Sequence, residues 1–182
     1  NDQSRPSFLQ PFLRFMKSFS CTKFVAMAAA GSLFATGAFA QQDECIDALN
    51  LAFDTPTGFD TSAATASAPD FSCGASGGTL TSQDVWFEFT STADYSALVT
   101  TCGTATYDTK IEVYSGACGA LVSEACNDDT TGCAGFTTDV TFAATSGTQY
   151  FVRVGGWTDA DSGAGTVLLV GPPPPPYECA DA

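Results

Sequence analysis

Histidine is missing from all 182 residues. Its absence removes the Ser-His-Asp and Cys-His arrangements that activate a nucleophile, and with them the imidazole ligands favoured by zinc. Cationic side chains are nearly missing too. Of six Lys and Arg residues, Arg5, Arg14, Lys17 and Lys23 precede residue 41, and Lys110 and Arg153 alone follow it. Nineteen of the twenty acidic residues lie beyond Ala40, so that part of the chain carries a net charge of −17. Nucleic acids and anionic membranes are held by clustered Lys and Arg, so neither is an expected partner. The balance suits solubility and the attraction of cations. The longest apolar run, residues 24–37, is too short and too rich in Ala and Gly to span a bilayer.

That run has another use. Met16 is followed by Lys17 and Lys23, then FVAMAAAGSLFATG, then Ala38-Phe39-Ala40. A charged start, an apolar stretch and an A-x-A site describe a secretory signal peptide over 16–40, cleaved after Ala40. Residues 1–15 precede its starting methionine and read as an upstream extension. At the other end, Pro172 to Pro176 are five consecutive prolines, a stiff polyproline II linker over 172–177. Glu178-Cys179-Ala180-Asp181-Ala182 then repeats the E-C-x-D-A of Glu44-Cys45-Ile46-Asp47-Ala48. The expectation is one module over 41–171 and the opening of a second at 178–182, in a secreted or cell-surface protein of linked modules.

Cys45, Cys73, Cys102, Cys118, Cys126 and Cys133 fall inside the module, Cys21 in the signal and Cys179 in the next copy. Six cysteines in an exported domain suggest three disulfides. No C-x-x-C spacing supports zinc instead. Spacing leaves the connectivity open; proximity in the N-terminal segment favours Cys45–Cys73, with the other four pairing among themselves.

Between the ends, the pattern is β throughout. Asp84–Thr90 (DVWFEFT) sets Trp86, Glu88 and Thr90 against Val85, Phe87 and Phe89. Thr109–Tyr114 (TKIEVY) sets Ile111 and Val113 against Lys110, Glu112 and Tyr114. Residues 95–101, 121–126, 138–144, 148–154 and 166–170 complete the strands, separated by Gly and Ser clusters. Cys45–Ala52 fits a helical turn or a first strand, and 54–81 an edge strand and a long loop. Short strands without a 3.6-residue period predict an all-β, antiparallel β-sandwich, jelly-roll-like, with about eight to nine strands and disulfide staples.

ECIDALNL, Cys73-Gly74, DVWFEFT, YDTKIEVYSGACGALVSEACNDD and ATSGTQYFVRVGGW together resemble the β-sandwich repeats of secreted multi-domain bacterial proteins related to the pre-peptidase C-terminal domain family. The resemblance covers Asp43 to about Val170. Its most specific parts are DVWFEFT, DTKIEVYSG with NDD, and SGTQYFVRVGG. It implies a jelly-roll-like, non-catalytic appendage of exported peptidases, adhesins and similar proteins, among whose relatives some bind calcium and some contact matrix or polysaccharide.

One stretch carries candidate chemistry. CNDDTTGC, residues 126–133, encloses Asn127, Asp128 and Asp129 between two cysteines. Pairing of the flanking strands would bring Asp108 to the same end. These four residues supply part of the six to eight oxygens that calcium takes, although EF-hand spacing is absent. The same residues suit a turn capped by Asn and Asp side chains, pinned by the cysteines. Asp159-Ala160-Asp161 reads as a solvated turn. Lys110, mid-strand, reads as surface. Trp86 reads as core, whereas Tyr107 and Trp157, at strand ends beside polar loops, are candidates for a ligand surface. No acid pair is singled out for glycoside cleavage, and no enzyme activity is expected. The leading expectation is a spacer, adhesion or binding module, with extracellular protein or polysaccharide as partner. The alternatives are an accessory domain of an exported peptidase or other hydrolase, and a carbohydrate-binding module.

Overall fold

The computed structural model describes residues 42–73 and 82–174. The expected extension at 1–15, the signal peptide at 16–40, the end of the polyproline linker and the second-module opening at 178–182 lie outside the described residues, as do Cys21 and Cys179. The rest is a sandwich of nine strands. One sheet has five: β1 (Leu49–Asn50), β3 (Asp84–Thr90), β8 (Gln149–Gly156), β5 (Thr109–Ala117) and β6 (Ala120–Asn127), in that order across the sheet. The other has four: β2 (Thr57–Asp60), β9 (Ala164–Val170), β4 (Tyr95–Thr100) and β7 (Asp139–Ala144). All neighbours are antiparallel except β1 with β3. The chain crosses between sheets at every connection except that from β5 to β6. Cys45–Ala52, expected as either a helical turn or a first strand, holds a 3-10 turn at Cys45–Asp47 and then β1.

Alternation decides which side chains face the core between the sheets. Successive residues of a strand face opposite sides of its sheet, so Val85, Phe87 and Phe89 of β3, Ile111 and Val113 of β5, and Val152 and Val154 of β8 all point inward. They meet Ala97 and Val99 of β4, Val140 and Phe142 of β7, and Val167 and Leu169 of β9 in one core. Tyr150 stacks on Phe89, with ring centroids 5.4 Å apart, and meets Phe142 edge-on at 5.0 Å. β-branched and aromatic residues at these positions fit a pleated, half-buried surface, which is why the strands form here.

The opposite face of the five-stranded sheet carries Asp84, Trp86, Lys110, Glu112, Tyr114, Phe151 and Arg153. An antiparallel sheet commonly leaves such a face to water. Here residues 61–73 cross it as a strap, and all seven side chains are buried. Lys110, expected at the surface from its place amid alternating residues, is fully buried. The alternation was right about its face, but the strap covers that face.

The strap also sets the disulfides. The bonds are Cys45–Cys118, Cys73–Cys126 and Cys102–Cys133, so the expected Cys45–Cys73 bond is corrected. Cys45, on the 3-10 turn, packs near the turn between β5 and β6. Cys73 lies at the far end of the strap, beside the end of β6. Proximity along the chain was a poor guide because the strap spans the sheet between the two. Nor do Cys126 and Cys133 pin one turn together, since each is tied to a different segment.

Candidate functional site

Three segments converge at one end of the five-stranded sheet. The register pairs Thr109 with Gly156 and Ile111 with Asn127, so the start of β5, the end of β6 and the end of β8 lie side by side. They deliver Asp108, Asn127-Asp128-Asp129 and the loop from Trp157 to Asp161. The Trp157 amide donates to the Asp108 carbonyl at 3.2 Å. Gly156 permits the approach of that loop, since a Cβ there would lie 1.8 Å from the Asp161 carbonyl oxygen.

Asn127 works as a turn residue. Its Nδ2 donates to Thr130 Oγ1 and the Asp139 carbonyl, each at 2.9 Å, and to the Asp129 carbonyl at 3.3 Å. The neighbouring carboxylates are differently placed. Oδ1 of Asp108 and Oδ1 of Asp128 are buried without a hydrogen-bond partner. Burial, then the charges of Asp128, Asp129 and Asp161, pushes the Asp108 carboxyl up to about 7. Burial and Asp129 raise that of Asp128. Asp129 is exposed. In a buried carboxylate an unmatched oxygen is costly, and a bound proton, a water or a cation would satisfy it. One cation is already near. The Lys110 Nζ donates to the Trp157 carbonyl at 3.5 Å and lies 4.6 Å from the Phe71 ring centroid. Its pKa is lowered, chiefly by burial, while Asp128 opposes that shift.

Asp161 accepts from the backbone amide of Thr158 at 3.0 Å and from its hydroxyl at 2.6 Å, closing the 157–161 turn. Trp157 is half-buried. Tyr107 is half-buried as well; its ring meets Phe59 edge-on at 6.4 Å and its hydroxyl accepts from Thr61 Oγ1 at 3.2 Å. Trp86 is in a buried cluster with Tyr114 and Phe151.

Under the strap, Arg153 Nη2 contacts Asp84 Oδ2 at 2.7 Å and donates to the Ser67 carbonyl at 2.7 Å, and its Nη1 donates to the Pro69 carbonyl. Asp84 accepts from the Ser67 amide and hydroxyl. Trp86 Nε1 donates to Ser67 Oγ at 2.7 Å. Glu112 accepts from the Ser72 amide at 2.9 Å and from the Ser123 hydroxyl. Lys110 and Arg153 are the only basic residues among those described, and both are 0% exposed. The described surface therefore bears carboxylates and no side-chain cation.

Two further features were missed from sequence. Cys102, Cys133 and Asp139 cluster within metal-ligand reach, but their sulfurs are bonded to each other and unavailable as thiolates. Phe136, in contrast, is the one exposed aromatic side chain among the described residues, 68% accessible. Its φ of 56° follows Gly135 at 71°, a left-handed pair that costs a bulky residue roughly 1–2 kcal/mol. The signal was in the sequence as Ala134-Gly135-Phe136, a lone aromatic after glycine in a polar loop. Compared with protein-family models, with curated proteins and with solved structures, the chain matches none.

Proposed function

We propose that this unit is a non-catalytic extracellular module, a spacer, adhesion or binding element of a multi-domain exported protein, of the kind found in pre-peptidase C-terminal domains. The observation that carries this reading is the set of three disulfides, which join residues 73, 53 and 31 positions apart. Bonds of this kind persist in oxidising compartments and are rare in the cytosol. The signal-like segment before Gln41 supports the same export route, and the E-C-x-D-A recurrence supports linked neighbouring modules.

A calcium ion fits the acidic end. The unpartnered oxygens of Asp108 and Asp128 match the hard oxygen donors that calcium takes. Asp108, Asn127, Asp128 and Asp129 would hold it. Its chemistry there is charge neutralisation, which would stiffen the three converging segments rather than transform a substrate.

Export of the chain to a bacterial periplasm, followed by alkylation and peptide mapping, tests the reading. The expected product begins at Gln41 and holds the peptides of Cys45–Cys118, Cys73–Cys126 and Cys102–Cys133 in linked form. Six alkylated cysteines would overturn it. Millimolar calcium should raise the melting temperature by preferential binding to the folded state; an unchanged Tm removes the metal while leaving the module reading intact.

A further inference from the structure

The loop after β6 presents a rigid aromatic surface beside polar groups. A cleft of about 290 Å³ is lined by Asp129, Thr130, Thr131, Gly132, Cys133 and Phe136. Every other aromatic side chain among the described residues is at least half-buried, whereas Phe136 faces solvent in a backbone conformation that favours glycine. Strain of this kind tends to be retained at ligand-binding positions. The loop that holds the ring is fixed on both sides. Cys133 is bonded to Cys102. Thr137 Oγ1 donates to the Ala134 carbonyl at 2.8 Å and accepts from the Gly103 amide at 2.7 Å. The Cys133 amide donates to the Thr130 carbonyl at 3.0 Å, and Asn127 anchors Thr130 from below. A preorganised loop loses little freedom on binding.

We infer that this cleft is a binding site for one pyranose ring of an uncharged or amino-bearing polysaccharide, with the apolar face of the sugar on Phe136. The Asp129 carboxylate and the Thr131 hydroxyl, both exposed, accept and donate hydrogen bonds to its hydroxyl groups. The volume suits a single ring, at the small end of ligand pockets. The charge pattern narrows the class further. With no side-chain cation on the described surface, an acidic polysaccharide has nothing to pair with and is repelled. An uncharged or amino sugar is accepted. The inference deepens the binding reading above by naming a site and a ligand class.

The test titrates the exported, disulfide-bonded chain by calorimetry with three oligosaccharides: a hexaose of glucose, one of glucosamine and one of galacturonate. Binding of the glucose or the glucosamine hexaose, and not of galacturonate, is expected, and which of the two binds identifies the source. Phe136→Gly should weaken that binding at least tenfold while leaving the melting temperature unchanged or raised, because glycine adopts the left-handed backbone readily. Phe136→Trp should retain it, and Thr131→Ala should weaken it. Binding of galacturonate best, or of no hexaose, overturns the inference. So does a fall in Tm with Phe136→Gly, which would make the ring a packing element. If Phe136→Gly binds as tightly as the parent, sugar recognition lies elsewhere and this site falls, while the module reading stands.

Discussion

Arg153 lies against the face of Phe71, its guanidinium carbon 3.9 Å from the ring centroid. The same guanidinium is 5.5 Å from the Trp86 ring and pairs with Asp84 on its edge. Arg153 thus ties the strap to the sheet by stacking on Phe71 and by donating to two strap carbonyls, while its ion pair with Asp84 links β8 to β3. Removing one member of a buried ion pair leaves the other charge stranded, at a cost of about 3–5 kcal/mol. Arg153→Ala should lose stability of that order in urea unfolding. Arg153→Lys keeps the charge but not the planar fork, and should recover only part of it. An Arg153→Ala variant as stable as the parent would show that the network contributes nothing.

The strap's far end is tied by Cys73–Cys126. Closing a loop of this length stabilises a fold by about 4 kcal/mol in the chain-entropy account. Replacing both cysteines with serine should lower stability by that order and also let protease cut residues 61–73 much faster. The paired Cys45→Ser and Cys118→Ser exchange should cost a similar amount while leaving the strap protected. Equal cleavage of the strap in the two variants would contradict this placement.

Asp108 gives a pH dependence with a definite sign. Its folded-state pKa, raised to about 7, exceeds the ordinary value of about 3.9 in an unfolded chain. The folded state therefore binds the proton more tightly. The contribution is fully present below about pH 4 and is lost as pH rises through about 7. In the presence of chelator, Tm should fall between pH 5 and pH 8, and Asp108→Asn should flatten that slope. A slope unchanged in Asp108→Asn would assign it to other carboxylates.

Salt should act on the whole surface. Repulsion among exposed carboxylates is long-ranged at about 0.01 M salt and largely screened at about 0.5 M. Tm should rise over that range with sodium chloride alone. A fall would mean that attractive pairs dominate instead.

The central strands were legible from sequence because their inward faces are apolar and the period is two. Val85, Phe87 and Phe89 announce themselves in that way, and so do Ile111 and Val113. The acidic end was legible too, since Asp108 and Asn127-Asp128-Asp129 meet through simple strand pairing. The strap was not. Residues 61–73 are mostly Ser, Thr, Ala and Pro, a composition that marks a loop and says nothing about what it covers. Lys110 and Arg153 alternate with core residues as solvent-facing side chains do, and only the strap distinguishes them from such residues. The disulfide partners were hidden for the same reason. Phe136 was hidden differently, because its exposure follows from a backbone turn rather than from any periodic pattern.

Both basic side chains of the described unit are sealed beneath the strap, so its exterior has a single sign of charge. Two such bodies brought close in fresh water would push each other away at every orientation, with no complementary patch to stick by. Brine would weaken that mutual push without altering the fold of either body.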